Sequence, residues 1–272
     1  MTMRRIGLVA WHVFKESVRD RVLYGIGAFA LLLVAGAIAI GQLTAGQDVK
    51  IIKDLGLATI EIAGAVMTIF IGVGLVSREI ERKSIFGLLA KPLPRWQFVI
   101  GKYFGLVLTI AVNVWMMALA LWLVLAWVAW TSPENIRLSW SAPAVDPRLA
   151  LVIAMITLEL ALLTAVALFF STFSSSALVS VGLTVGVFVA GLLSTDLRHF
   201  GDMVVAPPLV LSLVAGIGWA LPAFSEFDVK NQVVHGLPVP AGFVFHTVLY
   251  GVLYAVSVLG AAVFVFSRRE FK

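Results

Sequence analysis

The sequence predicts an all-α integral membrane protein with six transmembrane helices, and three observations carry that expectation. Of the 272 residues, 61% are hydrophobic and 13% charged, and the mean hydropathy is +1.02; a soluble domain is about 45–50% apolar and about 25% charged. The apolar residues fall into long runs almost free of charge, long enough to cross a hydrocarbon core about 30 Å thick at about 1.5 Å per helical residue. The basic residues gather between and beyond those runs in three clusters. A soluble enzyme, a disordered chain and a small disulfide scaffold are excluded. The absence of cysteine also removes disulfides, thiolate metal sites and thiol nucleophiles.

The first element, within residues 1–21, reads as an amphipathic interfacial helix. Ile6, Val9, Ala10, Val13 and Phe14 recur at helical spacing, with Arg5, His12, Lys15 and Arg19 opposite; Leu8 breaks the stripe. Such a helix is expected at the inner membrane surface, its basic face towards anionic headgroups. It lacks the short apolar region and small-residue cleavage site of a signal peptide. Spans are predicted at 22–42, 57–77, 103–130, 149–171, 178–194 and 243–267. The apolar stretch 203–224 is different. Pro207 and Pro208 open it and Pro222 interrupts it, leaving 13 unbroken residues, too few to cross. It is expected to re-enter the membrane or lie on its outer surface, as a hairpin within an external segment 195–242.

Charge sets the topology. One basic cluster holds Arg4, Arg5, Lys15, Arg19 and Arg21. A second holds Arg78, Arg82, Lys83, Lys91, Arg95 and Lys102, and the third Arg268, Arg269 and Lys272. The positive-inside rule puts all three in the cytoplasm, hence both termini, and this fits six spans, not seven. The same distribution identifies the lipid bilayer, rather than nucleic acid, as the partner of the positive charge. No internal repeat divides the chain, so 1–272 is read as a single permease domain.

Catalytic and cofactor motifs are missing. Gly101-Lys102 is followed by Tyr103 and preceded by no glycine-rich loop, so there is no P-loop. His12, His199, His235 and His246 lack metal-ligand spacing. No cofactor or metal is expected in the chain. Glu159 falls near the middle of the fourth span, where a carboxylate is costly and should face protein or water. It is read as a pathway group or as a buried carboxyl bonded to Thr157, Thr164 or another span. Asn113, on the third span, is a second pathway candidate or a helix–helix contact. Glu61 is expected at the outer interface.

The most informative stretch is 78–100. Charged residues follow the second span directly, then the apolar Ile85, Phe86, Leu88 and Leu89, then Pro92 and Pro94, which break the helix before Arg95 and Trp96 restart it. Read alone, this is either a short helix on the inner membrane surface, hinged at both ends, or a solvated basic turn. The pattern of an acid-rich start, a small apolar patch, paired prolines, then Arg95, Phe98 and Gly101-Lys102 resembles the segment between spans two and three in permeases of the type-2 ABC exporter class. The stretch from Leu221 to Lys230 is similar to an external one in permeases grouped with multicopper-enzyme maturation, which more often carry Pro-Asn where this chain has Pro222-Ala223.

The resemblance implies a coupling helix in 78–100 that docks on a separate cytoplasmic ATPase. Glu79, Glu81, Arg82, Lys83, Phe86, Leu89, Pro92 and Arg95 would form that contact. ATP and Mg would be held by the ATPase, not by this chain. It further implies two ATPase copies, a second permease copy, a translocation path that would include Glu159 and Asn113, contact with external partners, and a bacterial or archaeal cytoplasmic membrane. The chain is then a non-catalytic exporter subunit. Two alternatives stand beside it: a membrane subunit that conveys force or signal from a cytoplasmic ATPase to external partners without transport, and a secondary transporter.

Overall fold

The computed structural model describes residues 2–17, 27–28, 35–36, 48–81, 94–138, 140, 142–174, 176–203 and 207–268. The first predicted span, 22–42, lies outside these apart from 27–28 and 35–36, as does 82–93. Among the described residues all regular structure is helical. The helices are α1 (Thr2–Ser17), α2 (Asp48–Glu81), α3 (Arg95–Thr131), α4 (Glu134–Arg137), α5 (Leu149–Phe173) and α6 (Ala177–Leu192). They continue with α7 (Ser194–Arg198), α8 (Phe200–Met203), α9 (Pro208–Ala220), α10 (Lys230–Val234) and α11 (Ala241–Arg268), with a 3-10 turn at Phe224–Phe227. Four helices, α2, α3, α5 and α11, are long and apolar enough to cross a membrane. A fifth crossing results if Pro208–Ala220 and Phe224–Val234, bent by 50° at their junction, count as one broken span. The 16-residue α6 is about 24 Å long at about 1.5 Å per residue, short of a core about 30 Å thick.

One boundary departs from the sequence expectation. Helix α2 begins well before residue 57, taking in Lys50, Lys53 and Asp54, which read as loop because they are charged. Lys53 is in fact fully buried, its ammonium donating to the Pro143 carbonyl at 2.7 Å. Helix α3 starts at Arg95, where the paired prolines place the restart, and runs on through the third predicted span: Pro94 is extended (φ −58°, ψ 136°), and nothing after it interrupts the helix. Helix α9 matches its prolines, with Pro207 before it, Pro208 in its first turn, and an extended Leu221 ahead of Pro222.

The bundle is built around α5, which is buried along most of its length; α2, α3, α6 and α11 pack on it. Close approach at small residues fixes the register. A Cβ added at Gly56 would lie 2.5 Å from Leu121 Cδ1, and one at Gly64 2.4 Å from Leu160 Cδ1 and 3.4 Å from Val114 Cγ2. Helix α2 therefore runs antiparallel to α3 and, with Gly72 against Ala167, parallel to α5.

Helix α1 is amphipathic as expected, but its apolar face docks on α3 rather than on lipid. A Cβ at Gly101 would sit 2.7 Å from Val9 Cβ, and one at Gly105 2.6 Å from the Ala10 carbonyl and 2.7 Å from Val13 Cβ. Small residues four apart let two helix backbones approach in this way. Leu8 (62% exposed) and Trp11 (60%) point away from the bundle, which explains why Leu8 broke the stripe: α1 has a second apolar edge, free to meet lipid. Gly105→Leu should lift α1 off α3, with an overpacking cost of about 1–3 kcal/mol. The expected readout is faster tryptic cleavage after Lys15 in the detergent-solubilised protein. Gly7→Leu, where an added side chain meets open space, should leave cleavage unchanged.

Candidate functional site

Contacts show that one end of the bundle carries Arg95 and the other Lys53. At the Arg95 end, α2 stays helical through Glu81, so Glu79 and Glu81 belong to its last turn rather than to a separate surface helix. Arg82, Lys83, Phe86, Leu89 and Pro92 lie outside the described residues. Arg95 opens α3, and its Nη1 donates to the carbonyls of Ser267 (2.9 Å) and Phe266 (3.3 Å) at the end of α11. A cation near the last described turn of a helix also meets the negative end of its dipole. Below it the Phe98 and Phe266 rings stack at 5.9 Å, and Val99 packs with Ala262 and Phe266. Lys102 is 2% exposed, its ammonium 4.8 Å over the Phe98 ring. The start of α3, where the predicted coupling segment ends, is thus joined to the last span.

Midway along the bundle, Glu159 is 2% exposed and its Oε1 has no hydrogen-bond partner. The partners the sequence offered are engaged elsewhere: Thr157 donates to the Ile153 carbonyl and Thr164 to that of Leu160, both at 2.7 Å. Asn113 is likewise buried, its amide donating to the Thr109 carbonyl at 2.8 Å, while Thr109 bonds Gly105. The hydroxyls of Thr109, Thr157 and Thr164 and the amide of Asn113 thus return to their own helices, leaving Glu159 Oε1 without a partner. Glu159 and Asn113 are both enclosed by the chain itself.

At the Lys53 end, residues 218–240 form a cap. Lys230 pairs with Glu61 of α2, both mostly buried, and its ammonium lies 3.6 Å from Asp228. Glu61 is therefore not a free interfacial acid. No local pattern pointed to its partner, since 169 residues separate the two; the only available signal was the cost of an acid in an apolar run. Two aromatic rings seat the cap. A Cβ at Gly191 would lie 2.6 Å from Phe224 Cδ2, and one at Gly251 2.9 Å from Phe227 Cζ. The Ala223 N–H donates to the Tyr250 hydroxyl at 2.9 Å, and the Tyr254 hydroxyl to the Ala220 carbonyl at 2.8 Å. The neighbouring loop is held by Lys53 and by Arg148, which donates to the Gly236 carbonyl at 3.2 Å. The cap closes this end, packing on α2 and α5.

Reversing Lys230 to Glu should set like charges together and loosen the cap. The swapped pair Glu61→Lys with Lys230→Glu should recover stability, with a coupling energy of about 1–3 kcal/mol in a double-mutant cycle of thermal unfolding in detergent. Additive effects of the two substitutions would show that the pair holds nothing.

Set beside known proteins, the chain matches the family model described as ABC-2 family transporter protein over residues 8–271. A comparison with curated proteins finds no match. The match covers nearly the whole chain, and the chain belongs to that family: it is a multi-pass membrane subunit of an ABC transporter.

Proposed function

We propose that the chain is the permease of an ATP-driven exporter, with two copies of a separate cytoplasmic ATPase and a second permease copy completing the complex. It crosses the membrane six times, the Arg95 end faces the cytoplasm with both termini, and the cap lies outside. Family membership supports the ATPase partner, and the lack of a P-loop agrees with an energy source on another chain. The geometry that carries the coupling role is the antiparallel α2–α3 pair. Residues 82–93 join the ends of two helices that pack directly on each other, and Arg95 ties that junction to α11. A push on the segment then moves three helices as a unit. Glu79, Glu81, Arg82, Lys83, Phe86, Leu89, Pro92 and Arg95 form the contact region. Phe86 and Leu89 are its anchors, and Arg95 acts at its rear through the α11 terminus.

Glu159 is covered in the described state. In this reading it joins the translocation path only when the cap is displaced, with Asn113 beside it on α3. The cap and the coupling segment thus sit at opposite ends of the same helices.

Phe86→Ala and Leu89→Ala should each weaken ATPase docking by about 2 kcal/mol or more, as buried anchors do. Substrate-stimulated ATPase activity of the reconstituted complex should fall, with membrane insertion unchanged. Full assembly and stimulation in the double variant would overturn the contact.

A further inference from the structure

A cavity of about 180 Å³ opens beside the cap, lined by Arg198, Glu226, Thr247 and Tyr250, with Phe243 and His246 at its edge. It is smaller than the sites of about 300–1,000 Å³ that take drug-sized molecules. Its two charges are opposite and do not meet: neither Arg198 nor Glu226 has an ion-pair partner among the described residues. Arg198 is held in place by its Nε bond to the Gly218 carbonyl at 3.0 Å and by stacking 4.6 Å over Trp219. Glu226 is placed by the 3-10 turn that Phe224 and Phe227 anchor.

The hydroxyl of Thr247 supplies a second observation. Among the buried threonines on the long helices, Thr68, Thr109 and Thr164 donate to the carbonyl four residues back, whereas Thr59 and Thr247 do not. Thr247 is 5% exposed, lines the cavity, and makes no hydrogen bond to the described chain. Tyr250 accepts from Ala223 N–H, so its own proton is free to donate. The cavity wall thus offers donors, a cation and a carboxylate. That is the complement of a zwitterion whose anionic part accepts several hydrogen bonds and whose cationic part donates them.

The surroundings indicate where such a group comes from. The cavity faces the first turns of α11, where Phe245, Leu249, Val252 and Leu253 are exposed, and Trp219 beside it is 70% exposed. Amphipathic aromatics above an apolar helix face mark the headgroup level of a bilayer. We propose that this cavity binds the headgroup of phosphatidylethanolamine, with phosphate at Arg198, Thr247 and Tyr250, ammonium at Glu226, and acyl chains along the exposed face of α11. The site does not depend on the direction of transport.

The test is native mass spectrometry of the full-length protein released from detergent micelles, with added dioleoyl phosphatidylethanolamine or dioleoyl phosphatidylglycerol. Retention of the ethanolamine lipid should be about tenfold stronger, the size of one charge-assisted hydrogen bond. Glu226→Gln, which keeps the shape and removes the charge, should abolish the preference, and Thr247→Val should weaken retention of both lipids. Equal retention of the two lipids by the unaltered protein, or an undiminished preference in Glu226→Gln, would overturn the site. Displacement of the lipid by an equal concentration of soluble phosphoethanolamine would overturn the lipid as its source.

Discussion

Close contact between glycines and bulky side chains is the constraint on which this bundle rests. In lipid the hydrophobic effect does not drive helices together, because acyl chains solvate leucine as well as another helix does. What remains is packing, and it is strongest where one backbone lacks a side chain. Leu160 and Leu121 lie over α2 at Gly64 and Gly56, Val9 and Val13 over α3 at Gly101 and Gly105, Phe224 over Gly191 and Phe227 over Gly251. Each pairing sets a register as well as a distance. The same device thus holds the membrane helices together, attaches α1 and seats the cap.

Polar contacts act at the two ends and serve a different purpose. At one end Arg95 meets carbonyls in the last described turn of α11. At the other, Lys230 meets Glu61, and Lys53 meets a loop carbonyl. These interactions join segments that are not neighbours in the chain. Between the ends Glu159 is the one buried carboxylate among the described residues of the long helices, and nearby Thr109, Asn113, Thr157 and Thr164 bond to their own helices. In the proposed reading this division suits a permease driven from one side and opened on the other.

Local pattern made much of the fold legible. Apolar run length located α3, α5 and α11, the two proline sites bounded α9, and the stripe of Val9 and Val13 identified the packed face of α1. It failed where charge was taken as a sign of loop. Lys53 lies within α2 because a carbonyl from a distant loop receives its ammonium. It failed again for Glu159, since spacing alone offered Thr157 and Thr164 as partners, and backbone carbonyls one turn away were nearer acceptors.

By itself, then, the sequence determined that the chain lives in a membrane, where α3, α5, α9 and α11 run, and the family of machine whose membrane subunit it resembles. These depend on composition and on periodicities of a few residues. Only the tertiary structure decided that Arg95 reaches the last described turn of α11, that Glu61 answers Lys230, that α1 lies on α3, and that Arg198 and Glu226 line one cavity. In each case many chemically equivalent residues were available. Which of them meet follows from how the helices stack, and that depends on distances no local window contains.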